Sequence, residues 1–332
     1  IQNAKETLNF FNDFFERTID HYKDSKHLIS FAHQLIYSSI YRPRFIKIYS
    51  QIANLFNSYI KQANSTAIDM EHSNNNKNAN FSIILFNTLT KYLLINKTFP
   101  KISPLIFLMK RIHEQNLINI EQIISFLHSI KYNNDYKEII FLSFVVFALE
   151  FEKTDIDSYD IFYGIVEELS FAQTSDDEYQ VGEEGYAYHP FRAFTTKFFK
   201  FQNDEESYDS NNDSDVISEK EGNKWEELRN CIQEETDPSF PLLKAIKKDD
   251  VDCLQTIVTS IADFDINQRV PQSVFEPDPA ANLNCFLIEY CCLFGSLKCF
   301  KFLMLQHVRF PFMSHIYAVI GGNVEIIHIL IF

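Results

Sequence analysis

The sequence predicts an all-α protein: an α-α superhelix or irregular helical bundle, followed by a short array of stacked helical hairpins. Three observations carry this expectation. From residue 1 to about 172, apolar residues recur at helical spacing without strand-like alternation. Glycine is scarce, 7 in 332 residues, against a usual share of ~7 %, which disfavours folds built on many tight turns. A third observation is a 17-residue pattern that occurs at Pro241–Ile257, Leu287–Leu303 and Ser314–Leu330.

Each element follows from local residues. Leu8, Phe11, Phe14 and Phe15 predict an aromatic helix over residues 1 to about 20. A second helix follows Ser25, with Leu28, Phe31, Ala32, Leu35 and Ile36 on one face. A third opens at Pro43, because proline suits a first helical turn, and carries Phe45, Ile48, Tyr49, Ile52, Leu55 and Phe56. The Asn/Ser-rich stretch Ser65 to Asn80 reads as an exposed loop. Phe81 to Asn96 is the fourth helix, and Ser103-Pro104 predicts the start of a fifth, Leu105 to Gln115. Asn119 with Gln122 three residues later is a capping pattern that opens a helix to Lys131. Tyr136 to Phe151 is the most apolar helix and is expected to be central. Its apolar run, Ile139 to Leu149, falls short of the ~20 residues a membrane span needs. Asp155 to Ala172 is the eighth helix.

This order of helices, with Y-R-P-x-F-I-x-x-Y from Tyr41 and LIFLMKRIHEQNLINIEQIISFL from Leu105, resembles over residues 25–150 the helical scaffold of translation-initiation and mRNA-surveillance adaptors, the middle domain of the initiation factor 4G type. The resemblance is one of helix spacing. It implies, as an alternative function, an adaptor in translation or mRNA machinery.

Composition changes after residue 173. Acidic runs flank a basic-aromatic island, residues 190–201, where Phe191, Phe194, Phe198 and Phe199 sit beside Arg192, Lys197 and Lys200. The island reads as an amphipathic helix that packs back on the helical domain or, as the second reading, addresses a partner or membrane surface. Residues 203–221 have too few apolar side chains to offset the entropy of ordering them, and read as a disordered linker. Trp225 begins a helix to Glu235. The expected organisation is a helical domain 1–173, an acidic linker 174–223 and a repeat domain 224–332.

The three 17-residue copies share a grammar. Each starts with a short helix around a small residue: Ala245, Cys291, Ala318. A residue tolerant of positive φ then stops it, Asp249, Gly295 or Gly322, and an N-cap type follows, Asp250, Ser296 or Asn323. A second helix carries an apolar stripe: Val251, Leu254, Ile257; Leu297, Phe300, Leu303; Val324, Ile327, Leu330. Such a hairpin cannot bury its stripe alone and must stack on a neighbour. The pattern resembles the ankyrin repeat, whose hairpin reads P-L-x-x-A-x-x-x-G-(H/N)-x-E-I-V-x-x-L, on Pro241, Leu242 and Ala245, on Gly295, and on Ala318, Gly322, Asn323, Glu325, Ile326 and Ile327. The wording is similar to the divergent ankyrin proteins of trichomonad-type protists.

Two features depart from the family. An ankyrin array repeats every ~33 residues, whereas Asp249 to Gly295 is 46 (295 − 249) and Gly295 to Gly322 is 27 (322 − 295). The first connection therefore holds an insertion, Asp263 to Asn284, rich in Pro, Asp and Asn, and the second is too short for a full β-finger. An array usually ends in a polar cap, and Ile329, Ile331 and Phe332 make a poor one, so the chain, which begins at Ile1, is expected to continue with further repeats.

The resemblance implies a non-catalytic protein-protein interaction scaffold. The first helices of ankyrin hairpins commonly face partners, which puts Lys244, Lys247 and Lys248, then Tyr290, Leu293 and Phe294, then Tyr317 and Ile320 at the partner-binding surface. The alternative for the aromatic ones is packing against neighbours. A structural component of a large cytoskeletal or flagellar assembly is another reading. Direct nucleic-acid binding is not expected at a net charge of −15, and the richest basic cluster is Arg42, Arg44 and Lys47. No catalytic, cofactor-binding or metal-ligating set is expected. There is no G-x-G-x-x-G, P-loop, H-E-x-x-H or G-x-S-x-G, the His residues are scattered singly, and Cys291 and Cys292 point to opposite sides of a helix. The six cysteines form no C-x-x-C pair and no signal peptide is visible, so a cytoplasmic setting, cytoskeleton- or flagellum-associated in the alternative, is the expectation.

Overall fold

A computed structural model of the chain describes residues 2–19, 22, 24–68, 80–96, 98–172, 227–235 and 240–331. The linker 174–223 with its 190–201 segment, the helix start at Trp225 and most of the Asn/Ser-rich loop lie outside the described residues. The described residues form an all-α structure without strands, apart from one isolated bridge between Arg269 and Phe286. By contacts the chain divides into two compact units, Ile1–Ser175 and Asp176–Phe332. No described helix is long and apolar enough to cross a membrane.

Among the described residues the first unit holds eight α-helices: α1 (Gln2–Thr18), α2 (Ser25–Tyr41), α3 (Ile46–Ile68), α4 (Phe81–Ile95), α5 (Phe99–Glu114), α6 (Ile120–Ile130), α7 (Lys137–Thr154) and α8 (Ile156–Ala172). Their starts are chemical. Asp24 and Asn80 cap α2 and α4, each accepting from the backbone N–H two residues on. Asn119 and Gln122 form a full capping box at α6. Pro43 opens a 3₁₀ turn, Pro43–Phe45, that leads into α3.

Two boundaries differ from expectation. Helix α5 begins at Phe99, not Leu105, because Pro100 takes the first-turn position and Pro104 is carried inside the helix. Helix α3 continues to Ile68, past Ser65, whose hydroxyl donates to the Gln62 carbonyl within the helix.

Helices α5 and α7 form the centre. Helix α5 packs on α2, α3, α4 and α7, and α7 on α5, α6 and α8. Every residue from Ile139 to Leu149 is buried, as the sequence led one to expect. Helix α5 also buries two cations. The Lys110 ammonium pairs with Glu150 of α7 and lies 5.2 Å from the Phe147 ring, and Arg111 pairs with Glu114 at 2.9 Å.

The second unit begins, among the described residues, with a helix over 227–234 (α9). Three hairpins follow: α10 (Pro241–Lys247) with α11 (Val251–Ser260), α12 (Leu287–Phe294) with α13 (Leu297–Leu305), and α14 (Met313–Gly321) with α15 (Val324–Ile331). First helices pack on first helices, α10 on α12 and α12 on α14, and second helices on second helices, α11 on α13 and α13 on α15. The turns use positive φ where the sequence placed it, at Asp249 (52°), Gly295 (65°) and Gly322 (70°).

The apolar stripe holds in α13, where Phe300 and Leu303 are buried, and shifts in α15. There Ile326 is the buried residue and Val324 is 73 % exposed. At Gly321 a Cβ would stand 1.9 Å from the Cys292 carbonyl oxygen, so only glycine lets α14 approach α12 this closely.

Candidate functional site

The hairpin turns are interlocked. Asp250 caps its own helix by accepting from the Cys253 N–H at 3.0 Å. Asp249, the positive-φ residue beside it, reaches into the next hairpin, where its Oδ1 accepts from the N–H groups of Lys298 (2.8 Å) and Cys299 (3.0 Å) at the start of α13. Ser296, expected to cap α13, instead donates its hydroxyl to the Ile246 carbonyl of the first hairpin at 2.5 Å. Asn323 caps α15 through the N–H groups of Glu325 and Ile326, and its Nδ2 donates to the Gly295 carbonyl at 2.9 Å.

The insertion 263–284 lies against the first helices of the hairpins. Val274 and Phe275 are buried at its centre, and Asn282 organises its backbone. The Asn282 Oδ1 accepts from the Ser273 N–H at 2.9 Å, and its Nδ2 donates to the Ser273 carbonyl (3.2 Å) and the Glu276 carbonyl (2.7 Å). Glu276 points inward. Its Oε2 lies 2.8 Å from the Lys247 ammonium of α10 and accepts from the Tyr290 hydroxyl of α12 at 2.8 Å, while Oε1 accepts from the Asp278 N–H at 3.1 Å. The Tyr317 hydroxyl of α14 donates to the Ala280 carbonyl at 3.4 Å. One strap of chain thus touches all three first helices.

The electrostatics follow from burial. Desolvation pushes the Glu276 carboxyl above its ordinary range, against the opposing pull of Lys247. Burial also pushes Tyr290 well up, with the neighbouring Glu276 adding to it, and pushes Tyr317 up to about 12. The thiols of Cys291 and Cys285 are driven up, and those of Cys292 and Cys299 to about 12, again by desolvation first. These are therefore protonated, unreactive core thiols, whereas Cys253 is exposed.

Most of the predicted contact residues meet their own chain here. Lys247 is in the buried cluster, where its ammonium also donates to the Glu235 carbonyl at 2.6 Å and sits 5.0 Å from the Phe294 ring. Tyr290 is fully buried and packs against Phe294 in a tilted arrangement with ring centroids 4.6 Å apart. Lys244 and Lys248 pair with Glu234 of α9 at 2.6 and 3.8 Å. Tyr317 is held by the strap. Leu293 is likewise buried in the core, and Ile320 is exposed on α14.

Sequence reasoning missed Glu276, Asn282 and Gly321. The insertion read as polar, and the apolar pair Val274-Phe275 was the signal that its middle is buried. Among the described residues no group of three or more His, Cys, Asp and Glu is placed to hold a metal ion.

Beyond the strap the last hairpin presents an apolar face. Phe312 is 81 % and Val319 65 % exposed, and Phe310, Met313 and Ile316 are open beside them. Comparison with protein families, with curated proteins and with solved structures gives no match.

Proposed function

We propose that residues 241–331 are an ankyrin-type array and that the protein works as an interaction scaffold, seating a helical hairpin of a partner protein on the α14–α15 face. One observation carries the reading. With Gly295 aligned on Gly322, an offset of 27 (322 − 295), Val319 corresponds to Cys292 (319 − 27). In α12 that position is fully buried, beneath Gly321 of the next hairpin. In α14 the same position, with Phe312 and Ile316 near it, is exposed. The molecule itself therefore supplies the template for what covers such a face: a helix with a very small residue at the crossing, followed by an N-cap side chain that reaches back to a turn carbonyl.

The face suits protein recognition in composition. It joins Phe312 and Met313, residue types enriched in interface cores, to branched aliphatics. The insertion is tied to all three first helices, through Lys247, Tyr290 and Tyr317.

The test compares the full-length native protein with Val319→Glu and Phe312→Ser variants, all purified from their own cell. A stoichiometric protein is expected with the native chain, its affinity lowered at least about tenfold by Val319→Glu, with circular dichroism and melting temperature unchanged. Hydrogen exchange over 312–320 should slow in the complex. Equal recovery with the variants, or no stoichiometric protein at all, would refute the reading.

A further inference from the structure

The first unit contains a groove that the scaffold reading does not use. Three helix faces converge on it, each visible in the sequence as a stripe at i, i+3 or i+4 spacing. Helix α1 contributes Ala4, Thr7 and Phe11, and α2 contributes Phe31, Gln34, Leu35 and Ser38, with Arg42 at its end. Phe45, Ile48, Tyr49 and Ile52 come from the 3₁₀ turn and α3. The groove is open along one side and has a volume of about 450 Å³, within the ~300–1,000 Å³ of small-ligand sites. Leu35 and Ile52 are buried and form the floor.

The charge of the lining is unlike that of the chain. The protein carries 45 acidic residues and a net charge of −15, yet among the described residues no acidic side chain lines this groove. Arg42 is the one cation among the described lining residues. Arg44 and Lys47, the rest of the chain's richest basic cluster, follow within five residues. The Arg44 guanidinium sits 4.9 Å from the Phe45 ring, which fixes the cationic rim against the apolar wall. Arg42 and Arg44 both act on the half-buried Tyr49 hydroxyl, partly opposing the upward push of burial, so the positive charge reaches into the groove. A cationic ligand would meet repulsion at this rim and a polar one would waste the aromatic and aliphatic wall. An elongated apolar body with a negative head matches both.

We propose that this groove binds a single-chain aliphatic carboxylate, its head paired with Arg42 and its chain laid along the three apolar stripes. Arginine suits the role because its fork offers two parallel donors to one carboxylate. Ser38, one helical turn before Arg42 on α2, is the nearest further polar partner for the head.

The test uses the full chain and isothermal calorimetry, with dodecanoate as the probe at concentrations where it is monomeric. Saturable one-to-one binding is expected. Arg42→Gln should weaken it by about tenfold, the loss of one charge-assisted pair, and dodecanol should bind the native protein about as weakly as dodecanoate binds the variant. Ser38→Trp, which fills the groove, should abolish binding. If Ser38→Trp fails to fold by circular dichroism, Arg42→Gln with the dodecanol comparison decides alone. Absence of saturable binding overturns the proposal. So does binding unchanged by Arg42→Gln, or equal affinity for the alcohol and the acid. Adsorption to phosphatidylserine vesicles without binding of monomeric dodecanoate overturns it as well, and would mark the rim as a membrane-surface patch instead.

Discussion

Glu276 shows how one side chain can set the conditions under which a segment stays in place. Its carboxylate takes two side-chain donors from two helices and one backbone donor from its own loop, all in a water-poor interior. Burial still dominates and raises its proton affinity above the ordinary value of 4.5. The folded chain therefore holds this proton to a higher pH than the unfolded chain does. The carboxyl's contribution to stability is fully present below about pH 4.5 and declines as pH rises through the folded value. Chemical denaturation from pH 4 to pH 8 checks this. The difference in unfolding free energy between the native protein and Glu276→Gln should change with pH over that window, with the native protein losing ground as pH rises. Parallel curves would mean that the carboxyl titrates as it does in the unfolded chain.

At the scale of the elements, hairpin spacing is governed by Gly321. Adding one methyl there places a carbon 1.9 Å from the Cys292 carbonyl oxygen, a backbone atom that cannot swing aside. Gly321→Ala should force α12 and α14 apart and cost about 1–3 kcal/mol, the range of core overpacking. Gly322→Ala, one position on, meets nothing within 4 Å and carries only the strain of its positive φ, about 1–2 kcal/mol. Thermal melts of the two variants should rank them in that order.

Much at this scale was legible in the sequence. The positive-φ stops, the caps Asp250 and Asn323, the Asn119–Gln122 box and the apolar centre of α7 all rest on local spacing. What was not legible rests on partners far along the chain. The second duty of Asp249, capping a helix 49 and 50 residues away, leaves no local signature. The same holds for the Ser296 hydroxyl, whose partner is Ile246, also 50 residues away. Pro104 misled because the proline that takes the first-turn position is Pro100, four residues earlier. The candidate contact residues lie on the first helices of the hairpins or, for Lys248, just past the end of one, but the sequence could not show that the chain's own insertion would occupy several of them.

The molecule as a whole combines two units whose charge is used differently. In the first, the cationic rim at Arg42 stands beside a groove lined, among the described residues, without acids. In the second, the lysines of α10 are each matched by an acid, Glu234 or Glu276. The second unit also departs from a simple row of neighbours. In such a row each hairpin touches only the next, so stability is a sum of local terms. The strap 263–284 breaks that rule, since it is tied to α10 through Lys247, to α12 through Tyr290 and to α14 through Tyr317. Mechanically, that makes it a clasp. Drawn out between residues 241 and 331 in an optical trap, unclasped hairpins would peel off one by one as a staircase of short extensions. The clasped unit should instead resist and then yield in one rupture releasing about 320 Å of chain, with the staircase returning once Glu276→Gln and Tyr317→Phe undo the fastening.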